Sequence, residues 1–301
     1  MQEFKSGFVA IIGRTNVGKS TLLNLLVGEK VSATANKVQT TRTAIKGIVN
    51  RENSQIIFID TPGIHKPKTK LNEVMIETSF GVLNDIDVIL FVIEATSQDI
   101  GRGDMKILEK IKEANKKTIL IINKIDLVDK EKLASIINLY KDLYTFKAII
   151  PVSIKKEKNI EEILKEIESN LEEGPAYYDT EEYTDQTLRQ LVEETIREKA
   201  LKLLQDEVPH GILVEVNKMK SRKTKDMEKI YDIESTIFCL RESHKGIIIG
   251  KNGSMLKRIG TYAREDLEKM LGTKVNLKIW VKVKKDWIND MSIVKKFKAL
   301  D

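Results

Sequence analysis

The amino-acid sequence predicts an α/β chain: a doubly wound, mostly parallel sheet with helices on both faces, followed by a smaller α+β domain. Three observations predict it. Short runs rich in Ile and Val alternate with helical-period segments over residues 1–172. The composition turns acidic and aperiodic around Glu172, and beyond it strand-like runs bracket a Gly-rich turn and a helix.

The strand-like runs are 8–12, 44–49, 55–59, 88–93, 118–122 and 148–152. Between them, segments such as 71–83, 104–114 and 160–171 space apolar residues three and four apart, the helical period. Strands alternating with helices imply parallel pairing, because each crossover helix returns the chain to the same end of the sheet. Runs 44–49 and 55–59 are joined by only Arg51-Glu52-Asn53-Ser54, which predicts a hairpin and one antiparallel edge strand. The tract from Glu172 to Tyr183 contains Gly174-Pro175 and no period, so it reads as a linker, with Tyr177, Tyr178 and Tyr183 as anchors. A helix over 185–205 follows, then strands at 212–216 and 230–239 separated by a Lys- and Arg-rich stretch, a helix over 254–271 and a strand over 275–283. The expected organisation is a first domain over 1–172, a linker over 173–184 and a second domain over 185–301.

With 301 residues, 41% of them hydrophobic, the chain can bury two cores. No apolar run reaches the roughly 20 residues that a membrane span needs, and no signal-like stretch opens the chain, so a cytosolic location is expected. Cys239 is the single cysteine, which excludes an internal disulfide and a thiolate metal cluster. From His210 to Asp301 there are 21 Lys and Arg against 12 Asp and Glu, whereas the preceding residues hold 30 against 33. The basic excess sits in the C-terminal part and points to an anionic partner, nucleic acid first and a membrane surface second.

Gly13-Arg14-Thr15-Asn16-Val17-Gly18-Lys19-Ser20-Thr21 follows the first strand and opens a helix, the context of a phosphate-binding P-loop. Its glycines let backbone amides curl around phosphate oxygens, Lys19 reaches the β- and γ-phosphates, and the Ser20 hydroxyl ligates Mg2+. Asn123-Lys124-Ile125-Asp126 follows the run 118–122. A carboxylate at Asp126 accepts from the N1 and N2 donors of guanine, a pair that adenine lacks, so this tetrapeptide selects GTP and GDP. Asn123 is expected to tie the base loop to the P-loop, Lys124 to lie along the purine, and an amide of Ser153-Ile154 to meet guanine O6. Asp60-Thr61-Pro62-Gly63 supplies a strand-end carboxylate for Mg2+ and a Gly amide for the γ-phosphate. Within Gln39-Thr40-Thr41-Arg42-Thr43, Thr41 is the expected Mg2+ ligand, with Thr40 second. Lys19, Thr41, Asp60 and Gly63 are therefore the expected catalytic groups. Contacts from both loops to the γ-phosphate make the chain a switch as well as a hydrolase.

Ras-like proteins orient the attacking water with a Gln just after Asp-x-x-Gly. Here Ile64 follows Gly63, His65 is a general-base alternative, and no Gln occurs between Ile56 and Thr96. The pattern resembles the GTPases with a hydrophobic residue at that place. This resemblance implies slow turnover stimulated by K+, with Asn16 helping to hold the cation.

Ile249-Gly250-Lys251-Asn252-Gly253 lies between helical segments, with Lys257 and Arg258 just beyond. It resembles the Gly-x-x-Gly loop of a KH domain, which lets a single-stranded nucleic-acid backbone approach closely. The order helix, two strands, helix, Gly-x-x-Gly, helix, strand is similar to the type II KH arrangement. A P-loop GTPase sheet followed by such a module resembles the bacterial Era GTPases over nearly the whole chain. The particular marks are 13–24, Gln39-Thr-Thr-Arg42, Asp60-Thr-Pro-Gly63 and the stretch from Leu277 to Trp287. The resemblance implies binding to the 3′ end of 16S ribosomal RNA, a role in 30S subunit maturation, peripheral contact with the inner face of the cell membrane, and a monomeric chain. A lipid-binding signalling GTPase is the competing expectation.

Overall fold

The structure, a computed structural model, describes residues 3–35, 40–64, 67–223 and 227–297. Gln39 and His65 lie outside the described residues. Two compact units account for the chain: one holds the residues up to Ser32, Thr41–Asp185 and the end from Lys295, and the other holds Gln186–Val294 with the described part of 33–40.

In the first unit the elements run β1 (Lys5–Ile12), α1 (Lys19–Val27), β2 (Ile45–Arg51), β3 (Ser54–Asp60), α2 (Lys70–Gly81), β4 (Val88–Glu94), α3 (Arg102–Ala114), β5 (Lys117–Asn123), α4 (Lys130–Lys141), β6 (Ala148–Pro151) and α5 (Ile160–Asn170). The sheet order is β2-β3-β1-β4-β5-β6, with every pairing parallel except β2 with β3. The short connection predicted the antiparallel edge strand correctly. Alternate residues of β1 feed opposite cores: Val9 and Ile11 pack with Leu22 and Leu23 of α1 and Ile163 and Ile167 of α5. Ala10 and Ile12 pack with Ile107 and Ile111 of α3 and Ile136 and Tyr140 of α4. That two-sided burial is what a doubly wound sheet requires. The sheet direction of connection reverses at β1, flanked by β3 and β4, and such a switch point opens a crevice at the strand ends.

The acidic tract is pinned to the first unit. The Gln55 side chain, fully buried, accepts from the amides of Tyr177 (2.7 Å) and Tyr178 (3.0 Å) and donates to the Tyr178 carbonyl (2.8 Å). The Tyr177 ring packs on Phe8 with centroids 4.9 Å apart and planes tilted by 58°, and the Ile48 amide donates to the Tyr183 carbonyl at 2.9 Å. The tract thus shields the β2 edge, which would otherwise expose unpaired backbone groups.

The second unit contains α6 (Leu188–Leu203), β7 (Leu213–Lys223), β8 (Lys229–Cys239), α7 (Glu242–Ile249), α8 (Ser254–Leu271), β9 (Lys274–Val283) and the short α9 (Met291–Val294). A capping box between Thr187 and Gln190 starts α6. The sheet order is β7-β8-β9, antiparallel then parallel, and its inner face packs Ile233, Ile237 and Val275 on Val192, Ile259 and Ala263 of the helices. β7 continues through Lys223, past the expected end at Val216, after a register shift between Val216 and Lys218. Residues 218–223 pair across to β8, so this part of the Lys-rich stretch is strand rather than connection. Cys239 is a buried core residue of β8, as expected. The helix α6 also buries Arg197 and Glu198; Glu198 accepts from the Thr34 amide at 2.9 Å and from Lys202 at 2.7 Å.

Candidate functional site

Four groups converge at the ends of β1 and β3. Asp60 is fully buried, and its Oδ2 accepts from the hydroxyls of Ser20 (2.7 Å), Ser32 (3.0 Å) and Thr41 (3.2 Å). The Ser20 and Thr41 hydroxyls are themselves 2.8 Å apart. Thr40 turns elsewhere and donates to the Ala35 carbonyl at 3.1 Å. Beside the cluster, buried Lys19 donates to the carbonyls of Gly13 (3.1 Å) and Arg14 (2.8 Å). Burial lowers the Lys19 pKa to about 8 against the pull of Asp60, and burial raises that of Asp60 against Lys19 and the three hydroxyls. An oxygen-only cluster around one carboxylate fits a hard divalent cation, and Asp60 Oδ1, buried with no hydrogen-bond partner among the described residues, marks the open ligand position.

The 60–64 loop is laced to the P-loop. The Thr61 hydroxyl donates to the Ile11 carbonyl at 2.9 Å, and the Ile64 amide donates to the Gly13 carbonyl at 3.3 Å. The Pro62 carbonyl accepts from Ser79 of α2 at 2.9 Å. A Cβ on Gly63 would stand 2.7 Å from Thr15 Cγ2 and 2.9 Å from Thr15 Cα, so only glycine fits this approach. Thr61, Pro62 and Ile64 are all buried, with Ile64 packed into the core on Ile12 and Ile59; they shape the loop from behind. Asn16 is exposed and holds φ 65°, and Thr21 is exposed on the first turn of α1.

The base side assembles from β5 and β6. Asn123 donates to the Val17 carbonyl at 2.8 Å and accepts from the Ile154 amide at 3.2 Å, so one buried side chain joins the P-loop to the 153–156 loop. Gly18 caps α1 directly over it. Asp126 is exposed; the Ser153 hydroxyl donates to its Oδ1 at 2.6 Å and holds its carboxyl below the usual range. Lys124 pairs with Glu94. The amides expected to meet guanine O6 are both engaged, Ser153 with the Lys158 carbonyl (3.3 Å) and Ile154 with Asn123. The next amide, of Lys155, donates to no acceptor among the described residues.

In the second unit, Gly250–Gly253 joins α7 to α8. Gly250 has φ 74°, and a Cβ there would meet the Met255 amide nitrogen at 2.8 Å. Lys251 and Asn252 stand exposed at the loop, and Ile249 is half-buried behind it. A groove of about 400 Å³ runs from Gly253 between α8 and β9. Leu256, Gly260, Leu277 and Ile279 form its floor, and Lys257, Thr261 and Arg264 its polar rim. Arg258, exposed on α8, is not among the residues that line it.

A family model described as 50S ribosome-binding GTPase matches residues 8–124, and a KH domain model matches residues 207–288. The GTPase Era of Clostridium tetani is 52% identical over 293 residues, covering 97% of this chain and 98% of its own. That of Clostridioides difficile is 49% identical over 295 residues, covering 98% of each. The chain belongs to the Era GTPase family. Its membership makes it a GTPase with a type II KH module, as the sequence predicted.

Two solved Era structures align at 41% identity. One, an Aquifex aeolicus Era variant bound to GDP·AlF4−, has a TM-score of 0.92 and covers 98% of this chain and 99% of its own. The other, an Era bound to MgGDPNP and nucleotides 1506–1542 of 16S ribosomal RNA, has a TM-score of 0.91 and covers 98% of each.

Sequence reasoning missed three parts of these sites. Ser32, which reaches Asp60, belongs to no motif. Arg14 anchors outside the pocket: its Nε donates to Asp104 of α3 at 2.9 Å, and Tyr140 of α4 donates to the other carboxylate oxygen at 3.0 Å. The floor role of Gly260, Leu277 and Ile279 was not legible, although Leu277 and Ile279 lie in a marked stretch, because the groove exists only where α8 meets β9.

Proposed function

We propose that the chain is a Mg2+-dependent GTP switch whose KH groove binds the 3′ end of 16S ribosomal RNA during 30S subunit maturation. The observation that carries this reading is the floored and basic-rimmed groove beside Gly250–Gly253, in a chain alike end to end to an Era solved on that RNA.

On the nucleotide side, Ser20, Thr41 and Asp60 would hold Mg2+, Asp60 by its Oδ1, which has no partner among the described residues, or through water. When bound, the ion supplies neutralisation of charge developing between the β- and γ-phosphates. Lys19 exchanges two backbone carbonyls for phosphate oxygens at its ammonium. Asn123 fixes the base loop, Asp126 accepts from guanine, and the Lys155 amide is the donor left for O6. The buried Ile64 side chain cannot orient water, so the missing positive help is assigned to K+ beside Asn16, whose side chain makes no hydrogen bond among the described residues. Phosphate release measured in K+ and in Na+ at matched ionic strength tests this, and equal rates refute it.

Gly250→Asp places a side chain where none fits and a negative charge at the backbone clamp. Binding of the 16S 3′-terminal RNA should be lost while GTP hydrolysis persists. Retained RNA affinity, measured by fluorescence anisotropy, would overturn the groove assignment.

A further inference from the structure

The sheet of the second unit has a face turned away from its helices. Residues of β9 alternate: Val275, Leu277, Ile279 and Val281 point to the core, whereas Lys278, Trp280 and Lys282 point outward and are exposed. Register places Lys278 across from Glu234 and on to Lys218, Asn276 across from Asp232 and on to Lys220, and Trp280 across from Thr236 and Glu215. Trp280 is 44% exposed, an unusual position for a large indole.

Charge on this face is unbalanced. Asp232 is neutralised by Arg222 (2.5 Å) and bonded by Asn276 (2.8 Å). Among the described residues, the ammonium groups of Lys218, Lys220, Lys278 and Lys282 have no ion-pair partner. Along β9, Lys278, Trp280 and Lys282 recur roughly every 6.6 Å, the scale of one step of an extended nucleotide chain. β9 is also the sheet's outer strand, and its inward residues Leu277 and Ile279 form the groove floor. Groove and outer face are therefore two sides of one strand.

We propose that this outer face is a second RNA surface, holding single-stranded RNA that runs on from the groove, with a base stacked on Trp280 and phosphates on Lys278 and Lys282. The proposal rests on the groove reading above. Stacking on an aromatic is worth about 1–3 kcal/mol per base and tolerates any sequence, while a KH groove clamps only about four nucleotides. A lipid surface is the poorer fit: it favours several apolar side chains inserted together, and here Trp280 is the exposed apolar group, while Phe238 on the same face is half-buried across from Lys282 and under Lys284.

The test uses the full chain with two unstructured oligoribonucleotides, one of about four nucleotides and one about three times as long. Trp280→Ala should weaken the longer RNA about tenfold, about 1.4 kcal/mol, and leave the shorter one unchanged. Lys278→Gln with Lys282→Gln should reduce the salt slope for the longer RNA by about 0.7 per lysine. The chain has two tryptophans and Trp287 is buried, so the longer RNA should quench indole fluorescence and Trp280→Phe should abolish the quench. Unchanged affinity for the longer RNA in both variants, or quenching by phosphatidylglycerol vesicles and not by RNA, overturns the proposal. Gly250→Asp separates the readings: it should lose the short RNA, and if it does not, the groove reading fails while the outer-face readouts still decide this one.

Discussion

Arg14→Ala breaks a pair that no motif announces. The Asp104 carboxylate is fully buried, and its partners are the Arg14 guanidinium at 2.9 Å and the Tyr140 hydroxyl at 3.0 Å. At 2.9 Å and an effective dielectric of about 20, the Coulomb attraction is roughly 6 kcal/mol. The guanidinium keeps part of its surface in water, which reduces that figure, and breaking buried pairs generally costs about 3–5 kcal/mol. We expect a loss of about 3 kcal/mol, or a melting shift of about 6–12 °C in the first unit. Arg14→Met with Asp104→Leu should recover most of it, because no charge is then left buried. Calorimetry of the full chain, nucleotide-free, measures all four corners of the cycle. Burial raises the Asp104 pKa above its unfolded value despite Arg14, so stability falls as pH rises through that window. Removing Arg14 pushes the folded pKa higher still. The variant's deficit should therefore be full above that raised value and shrink as pH falls towards the ordinary carboxylate range. Additivity of the single changes within about 0.5 kcal/mol, or a deficit independent of pH, would refute the reasoning.

Other changes separate selection, catalysis and packing. Asp126→Asn should weaken GDP at least about a hundredfold and improve the xanthine nucleotide, as read by competition with a fluorescent nucleotide. Gly63→Ala forces a methyl group against the Thr15 backbone; turnover should fall at least about tenfold while GDP affinity changes little. Gln55→Ala takes away the acceptor of the half-exposed Tyr177 and Tyr178 amides, so it should loosen the tract and speed proteolytic cleavage within 173–184.

Much of the fold was legible because the strand runs of the first unit are bounded by turn residues and the inner ones are buried on both faces. The hairpin at 51–54 announced the single antiparallel strand. β7 was misjudged past Val216 because residues 217–223 are polar and, but for half-buried Met219, exposed on both faces, so no alternation of buried and exposed residues marks that part of the strand. The acidic tract was legible as aperiodic, but its docking on Gln55 was not, since a lone glutamine carries no pattern.

The sequence alone determined that the chain is a GTPase, because the motifs that mark it are short runs at strand ends, where backbone geometry places their donors and acceptors. It also determined the KH loop, whose glycines answer a local backbone demand at Gly250. Tertiary structure decided the rest: that Thr41 rather than Thr40 meets Asp60, that Ser32 joins them, that Arg14 is held by Asp104, and that Arg264 rather than Arg258 faces the groove. These are contacts between residues far apart in the chain, and they exist only once packing has brought their elements together.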